Sequence, residues 1–411
     1  MANASDYPLS THNLEDPAAG ADGEPSEERL LSVNFCLATL VNFFNSFGSQ
    51  MMNAIVPVYV LSIGGNNAEA GVVGGAAAIT ALLLRPLVGW ASDVWKRRPL
   101  VLIGNSGIGL ASVVYALSNS IRMLTFGRVV QGLGISCYST ASNAYIVDIA
   151  PSRRRAEAIG LFAATNSLGR IVGPAVGFYI VSLFGYHRLF NLVTALVVTA
   201  GLVSLLTRER SRPPNSQRPA WSPRTGIVAV DALPIAWTSF CLGLAFGSVS
   251  TFIAIFASSR GIDNPGLYFA VQAIALLISR TFSGRLADKC GRAAAIIPGA
   301  IVMALALVVL PLAHDLAGFI VCGALMGLGF GAAQPASMAL LADLVGAERQ
   351  GVGLATYFMG YDGGIFLGSV AFGVVSELWG FGVMWPLAAV WTLLGLLGLL
   401  GARRSGVSRS A

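Results

Sequence analysis

Long apolar runs separated by short polar segments fill the chain after residue 30. A membrane-spanning helix needs about 20 mostly apolar residues. The first six such runs lie near 31–60, 69–91, 99–118, 123–147, 156–184 and 188–207. Six more lie near 232–257, 266–287, 294–312, 316–342, 351–378 and 381–402. The pattern predicts an all-α membrane protein with twelve transmembrane helices in two six-helix bundles.

Polar segments mark the boundaries of these bundles. Residues 1–30 are rich in acidic side chains and lack the basic start of a signal peptide, so we expect a disordered cytosolic leader there. One bundle then occupies 31–207 and the other 232–402. The Arg/Pro/Ser-rich segment 208–231 is too polar to span a membrane, so it is interpreted as a cytosolic linker. Residues 403–411 form a cytosolic tail.

Composition supports lipid as the solvent. The chain is 55% hydrophobic and 11% charged, whereas a soluble domain is about 25% charged. The net charge of +6 is divided among short clusters between apolar runs. Such clusters fit membrane topology better than a nucleic-acid-binding face, so no nucleic-acid partner is expected.

The chemistry-bearing residue types exclude several functions. None of the five cysteines shares a C-x-x-C spacing with another, which argues against a metal site. No P-loop and no catalytic cluster are present, so neither an ATP-driven pump nor an enzyme is indicated, and no cofactor is expected. A membrane sensor is disfavoured because the chain has no sizeable soluble domain. The function that these exclusions leave is transport driven by an ion or substrate gradient.

The basic clusters also predict orientation. The clusters at 96–98 and 153–155 follow even-numbered helices, as does the arginine-rich linker, while the opposite loops carry only Arg122, Arg188 and Arg260. By the positive-inside rule both termini and the linker are cytosolic, in a multi-pass protein of the cell membrane. An even number of crossings requires the two termini to agree, which this assignment satisfies.

The two sets of helices are repeats. The motif Arg85-x3-Gly89-x3-Asp93-x3-Arg97 recurs 195 residues later as Arg280-x3-Gly284-x3-Asp288-x3-Arg292. The same shift relates Asp148 to Asp343 and Gly169 to Gly364. One offset at so many positions indicates duplication and two pseudo-symmetric bundles. In transporters built this way, the substrate site lies between the repeats near the bilayer midplane.

These motifs resemble those of the major facilitator superfamily. The resemblance rests on the helix 2–3 turn motif and its repeat in the second half, and on the helix 4 motif Arg128-x2-Gln131-Gly132-x-Gly134. The helix 5 motif Gly169-x3-Gly173-Pro174-x2-Gly177 is similar to one found in proton-coupled drug and metabolite antiporters. The resemblance implies a monomer that exports a small organic molecule in exchange for protons by alternating access. A proton-coupled uptake symporter is the alternative.

Charges deep in helices are the strongest candidates for chemistry, because each costs about 2.5–3.5 kcal/mol at the bilayer centre. Asp362 is the only acid deep in any predicted helix. A buried carboxyl group can load and release a proton near neutral pH, so Asp362 is the proton-coupling candidate. The alternative is a permanent ion pair with an arginine, and Arg170 is the nearest by depth.

Polar stripes on helices 1, 4 and 10 predict a substrate cavity, because the family resemblance places these helices around the central site. The candidates are Asn42, Asn45, Asn53, Arg128, Gln131 and Gln334. Arg128 is suited to an anionic substrate group or to tuning a nearby carboxylate. The alternative for all of them is fixed hydrogen bonding between helices.

Charged residues at the cytosolic helix ends predict a gate that pairs when that side shuts and separates when it opens. Its members are Arg85, Asp93, Arg97, Arg98, Asp148, Arg280, Asp288, Arg292 and Asp343. Static anchoring by positive charge is the alternative. In helix 5, Gly169, Gly173, Pro174 and Gly177 combine a flat strip with a proline kink, which suits a hinge between the halves; a passive kink is the alternative.

Overall fold

The fold is helical throughout the part of the chain that was described. A computed structural model describes residues 32–94, 97–151, 154–207, 229–262, 264–345 and 350–404. None of these residues lies in a β-strand. The predicted leader, linker residues 208–228 and the end of the tail lie outside the described residues.

The N-terminal half contains six long helices. They are α1 (Val33–Ser62), α2 (Asn67–Val94), α3 (Arg97–Leu117), α4 (Ile121–Ile149), α5 (Arg155–Phe184) and α6 (Tyr186–Leu205). Ser32 and Ser120 cap α1 and α4, since each side chain accepts a hydrogen bond from a first-turn amide. The bounds agree with the apolar runs to within a few residues at most ends.

The C-terminal half repeats this arrangement after a short 3₁₀ turn at Val230–Ala232. Its helices are α7 (Leu233–Ser259), α8 (Gly266–Cys290), α9 (Ala293–Val309), α10 (Leu316–Val345), α11 (Gln350–Trp379), α12 (Phe381–Leu394) and α13 (Leu397–Arg404). A second 3₁₀ turn, Leu310–Leu312, follows α9.

The twelfth predicted helix is interrupted at residues 395–396, so that α12 and α13 together make one span, Phe381–Ala402. Side chains of α7 donate hydrogen bonds to carbonyl groups at the break. Trp237 Nε1 donates to Leu394 O at 3.0 Å, and Thr238 Oγ1 donates to Gly395 O at 2.8 Å. These bonds replace the interrupted helical ladder.

Ten described helical segments are long and apolar enough to cross a membrane, and α1 and α4 are not among them. Both carry polar side chains at regular helical spacing, including Asn42, Asn45 and Asn53 on α1 and Arg128 and Gln131 on α4. Their lower hydropathy therefore follows from the same residues that the sequence marked as cavity candidates.

The repeat is visible in how helices pack. A Cβ added at Gly104 on α3 would lie 2.4 Å from the Tyr138 amide nitrogen on α4, and one added at Gly299 on α9 would lie 2.8 Å from Gly329 O on α10. Gly104 and Gly299 are related by the 195-residue offset. Small residues at equivalent positions thus hold equivalent helix pairs together in each half.

The two halves meet through α1 with α7, α2 with α11, and α5 with α8. One end of the bundle contains the α2–α3 and α8–α9 turns with Arg97 and Arg292; we call it the basic end. The other, where α1 ends at Ser62 and α2 begins at Asn67, we call the opposite end.

Candidate functional site

A cavity of about 470 Å³ lies between the two halves. Helices α1, α2, α4 and α5 form one wall, and α7, α8 and α11 form the other. The first wall is rich in amides and hydroxyls, and the second carries large apolar side chains such as Phe246, Phe269 and Ile365. A polar wall facing an apolar wall suits a small amphipathic organic molecule.

The cavity is closed toward the opposite end by small residues that bring backbones together. A Cβ added at Gly71 on α2 would lie 2.4 Å from Ser369 O on α11. One added at Gly266 on α8 would lie 2.4 Å from the Ala175 Cα on α5. No real side chain fits at such distances, so the halves are in direct backbone contact at this end.

The charged groups at the basic end pair inside each half. Arg97 Nε lies 3.5 Å from Asp148 Oδ2, which joins α3 to α4. Arg292 donates to Asp343 Oδ2 at 3.0 Å and to Asp288 Oδ1 at 2.5 Å. These hydrogen bonds, the one to Asp343 first, raise the pKa of Arg292 above its ordinary value. Among described residues, no ion pair joins the two halves at this end.

The remaining gate candidates have separate positions. Arg98 Nη2 donates to the Leu205 carbonyl at 2.8 Å, which links α3 to the end of α6. Arg280 Nη2 donates to Gln334 Oε1 at 3.2 Å, so both of these residues lie at the α8–α10 contact. Gln334 is not among the described residues that line the cavity. The side chain of Asp93 lies outside the described residues.

Asp362 forms an ion pair across the halves, but its partner is Arg85 of α2. Arg170, the arginine named as the alternative partner by its depth, is not the residue that pairs with Asp362 here, because α11 packs against α2 whereas α5 packs against α8. Arg170 instead lies over the Phe246 ring, 5.9 Å from its centroid. Arg85, a gate candidate from the sequence, lines the cavity and stands 5.1 Å from the Phe358 ring centroid.

The ion pair is unequally exposed. The Arg85 side chain is 30% exposed and that of Asp362 is 9% exposed. Both residues line the cavity, and Arg85 Nε donates to Asp362 Oδ2. A proton reaching Asp362 through the cavity would remove the charge that holds Arg85, so protonation and the contact between halves are physically linked.

Arg128 is fully buried at the edge of the cavity, and its described partners are all neutral. It donates to Asn53 Oδ1 at 2.7 Å, to Met52 O at 3.0 Å and to Gln131 Oε1 at 3.0 Å. Its Nε has no hydrogen-bond partner among the described residues. Asn53 and Gln131 therefore orient a cation that no described carboxylate neutralises.

Asn42 and Asn45 line the cavity while also bonding to neighbouring helices. Asn42 Nδ2 donates to Thr165 Oγ1 at 2.6 Å, and Asn45 Nδ2 donates to Asn105 Oδ1 at 2.6 Å. These bonds hold α1 to α5 and α3 inside the N-terminal half. Their donors are thus engaged in the fixed interhelical contacts that were the alternative to substrate binding.

The glycine strip of α5 packs within the N-terminal half. A Cβ added at Gly169, Gly173 or Gly177 would lie 2.7, 3.1 or 2.6 Å from the nearest atom of α1. Pro174, on the neighbouring face, lines the cavity. The contact across to α8 falls beside it, at Ala175, so Pro174 and the contact between the halves are adjacent.

Aromatic residues complete the apolar wall. The rings of Phe246 and Phe330 stack with centroids 5.1 Å apart, and Tyr361 lies 6.2 Å from Phe246 and 6.1 Å from Phe330. Neither Phe246 nor Phe330 is among the cavity candidates named from the sequence. Tyr361 adjoins Asp362, and that adjacency was the signal available for it.

Comparison with known proteins matches the chain to a transporter family. A family model described as Major Facilitator Superfamily matches residues 38–275 and 265–410. An MFS-type transporter of Methanocaldococcus jannaschii is 20% identical over 384 residues, covering 91% of this chain and 99% of that protein. A staphylopine export protein of Staphylococcus aureus is 23% identical over 370 residues, covering 85% and 90%.

The fold has solved counterparts. A bacterial homologue of the human lysosomal transporter Spinster, in an inward-facing and unoccupied conformation, matches with a TM-score of 0.78 at 15% identity. The match covers 93% of this chain and 98% of that one. At this identity the likeness concerns the fold, and the sequence relatives are themselves transporters.

Proposed function

Because the chain belongs to the major facilitator superfamily, we propose that it exports a small organic molecule in exchange for protons. The observation that carries the proposal is a cavity between the halves with an ion pair, Arg85–Asp362, joining its two walls. A relative that exports staphylopine supports the outward direction. The transported molecule is the partner expected in the cavity, and no cofactor takes part.

Orientation follows from charge. The basic clusters of the sequence follow α2, α4 and α6 along the chain. By the positive-inside rule they support a cytosolic basic end and cytosolic termini in a protein of the cell membrane. The described state, closed at the opposite end, then offers its cavity to the cytosol. A molecule destined for export enters from this side.

Alternating access supplies the transport step. The half at 31–207 and the half at 232–402 rock against each other, with the linker 208–231 joining them, so that the site faces each side in turn. The ion pairs of Arg97 and Arg292 lie inside single halves and keep each half rigid during this motion. The kink at Pro174 beside the α5–α8 contact provides the hinge.

Proton coupling is assigned to Asp362. When its carboxyl group is ionised, Arg85 bridges α2 and α11 and favours the state described here. When it is protonated, the bridge weakens and the halves separate there, while Arg85 remains hydrated by the cavity. One proton thereby changes the free energy of one conformation relative to the other, which is what coupling requires.

The test is flux in proteoliposomes that contain the purified full chain, with a substrate panel and a pH gradient imposed in each direction. Export coupling requires a substrate to move against a proton gradient and to collapse that gradient as it moves. Movement of substrate with protons would identify an uptake symporter instead. No gradient-dependent movement of any panel member would contradict both.

A further inference from the structure

Two arginines of opposite halves lie within electrostatic range of each other, and one of them lines the cavity. Arg170 of α5 lines the cavity above the Phe246 ring. Arg280 of α8, bonded to Gln334, lies within electrostatic range of Arg170. Neither forms an ion pair with any acid in the described part of the chain. Two cations within electrostatic range of each other in a membrane protein repel, so an anion bound near them is favoured.

The other charged residues of the cavity do not neutralise the positive charge of these two arginines. Among the described lining residues, three arginines face a single acid, Asp362. Arg85 neutralises that acid, and Arg128 bonds only to neutral acceptors. The cavity therefore carries a net positive charge and attracts anions while it opposes cations.

An aromatic surface adjoins the two arginines. Phe246 and Tyr361 line the cavity, with Phe330 stacked behind them. Tyr361 lies within electrostatic range of both Arg170 and Arg280. A flat apolar group placed against these rings would have its charged substituent beside the guanidinium groups.

We propose that the exported molecule is an aromatic organic anion, with its anionic group at Arg170, on the side toward Arg280, and its planar body against Phe246 and Tyr361. This inference rests on the proposed export function and specifies its substrate class. The arginines come from different halves, so a bound anion bridges the α5–α8 contact and stabilises the state in which the two helices are close.

Three probes of one shape and different charge test the site: naphthoate, naphthylmethanol and naphthylmethylammonium. Binding is measured at equilibrium on the purified full chain. We expect naphthoate to bind at least about tenfold more tightly than the other two, since a hydrogen bond to a charged group contributes about 1.5–3 kcal/mol. Naphthoate should also raise the melting temperature.

Variants separate a binding role from a structural one. Arg170→Gln and Arg280→Gln should each weaken naphthoate binding about tenfold or more and leave naphthylmethanol binding unchanged. Arg170→Lys should restore part of the affinity. Arg170→Gln should not lower the melting temperature of the empty protein, because it removes a repulsion. Arg188→Gln, at an exposed arginine outside the cavity, is the matched control and should bind naphthoate normally.

The outcomes distinguish this site from the proposed function. Naphthylmethylammonium binding as tightly as naphthoate, no naphthoate binding, or normal naphthoate binding by both glutamine variants would overturn the anion site. Proton-driven export of a cationic panel member would do the same while leaving the export function intact. Charge-selective naphthoate binding without gradient-driven flux of any panel member would keep the site and contradict the export function.

Discussion

The two ends of the bundle are held together in different ways. At the opposite end, small residues bring backbones of different halves into contact, as Gly71 does against Ser369. At the basic end, arginines such as Arg97 and Arg292 pair with carboxylates of their own half. One end is a seal between halves, and the other is a set of clamps within them.

The difference indicates where the molecule moves. A seal held by van der Waals contacts can separate without leaving unpaired charges in lipid, because the glycines at the contact lose only neighbouring atoms and no ionic partner. Ion pairs inside a half do not have to break when the halves move apart. The Arg85–Asp362 pair joins the halves, so it is where the proposed proton coupling can be tested.

The seal can be broken directly, with the largest expected effect. Gly71→Leu would place side-chain atoms where even a Cβ lies 2.4 Å from Ser369 O. Overpacking costs about 1–3 kcal/mol, so the closed state and the transport rate should fall about tenfold or more. A cysteine introduced at Ser250, in the cavity wall, should become more reactive toward an impermeant reagent added outside cells.

Gly160→Leu is the control for that experiment. A Cβ at Gly160 meets no atom within 4 Å, so the larger residue should leave both transport and labelling unchanged. Normal transport by Gly71→Leu, or unaltered labelling of Ser250→Cys, would show that the α2–α11 contact is not a seal that opens.

The clamps are tested by Asp288→Asn, which removes a partner of Arg292. The Asp288 side chain is 70% exposed, so the pair contributes no more than about 1 kcal/mol to stability. If these charges also pair across the halves when the basic end shuts, transport per folded molecule should fall by several-fold while the melting temperature barely changes. Flux and thermal unfolding are measured on the same preparation.

Glu157→Gln provides the matched comparison. It breaks an exposed pair at the same end, Arg154–Glu157, that belongs to no predicted gate. Its transport rate should be normal. Unchanged rates in both Asp93→Asn and Asp288→Asn would leave only static anchoring for these acids.

A labelling experiment, expected to affect transport least of all, tests which end of the bundle faces the cytosol. Asn215→Cys, in the linker of a chain freed of its own cysteines, should resist an impermeant reagent applied to intact cells and react after lysis. Reaction in intact cells would place the basic end outside and reverse the direction in which the cavity faces.

Much of the fold was predictable because membrane helices are recognisable in a sequence as long apolar runs. The apolar run at 316–342 became α10, Leu316–Val345, and the run at 188–207 became α6, Tyr186–Leu205. The break at residues 395–396 was not predictable, because it depends on α7 side chains such as Thr238 bonding to carbonyls far away in sequence.

The site was harder to predict because sequence gives the depth of a residue but not its neighbours. Arg170 and Asp362 occupy similar depths, yet α5 faces α8 and α11 faces α2. The repeat did relate Arg85 to Arg280, but only the packing shows that Arg85 pairs with a carboxylate while Arg280 bonds to an amide. Equivalent positions have thus acquired different partners in the two halves.

The Asp362→Asn variant tests whether Asp362 carries the coupled proton. Proton-driven flux, substrate exchange without a gradient and thermal unfolding are measured on one proteoliposome preparation and its detergent-purified source. Because the cavity keeps Arg85 hydrated, the melting temperature should shift by no more than about 4 °C, the change that roughly 1 kcal/mol produces in a domain of this size. Proton-driven flux should be abolished and exchange retained. A stable Asp362→Asn protein with normal proton-driven flux would contradict the account.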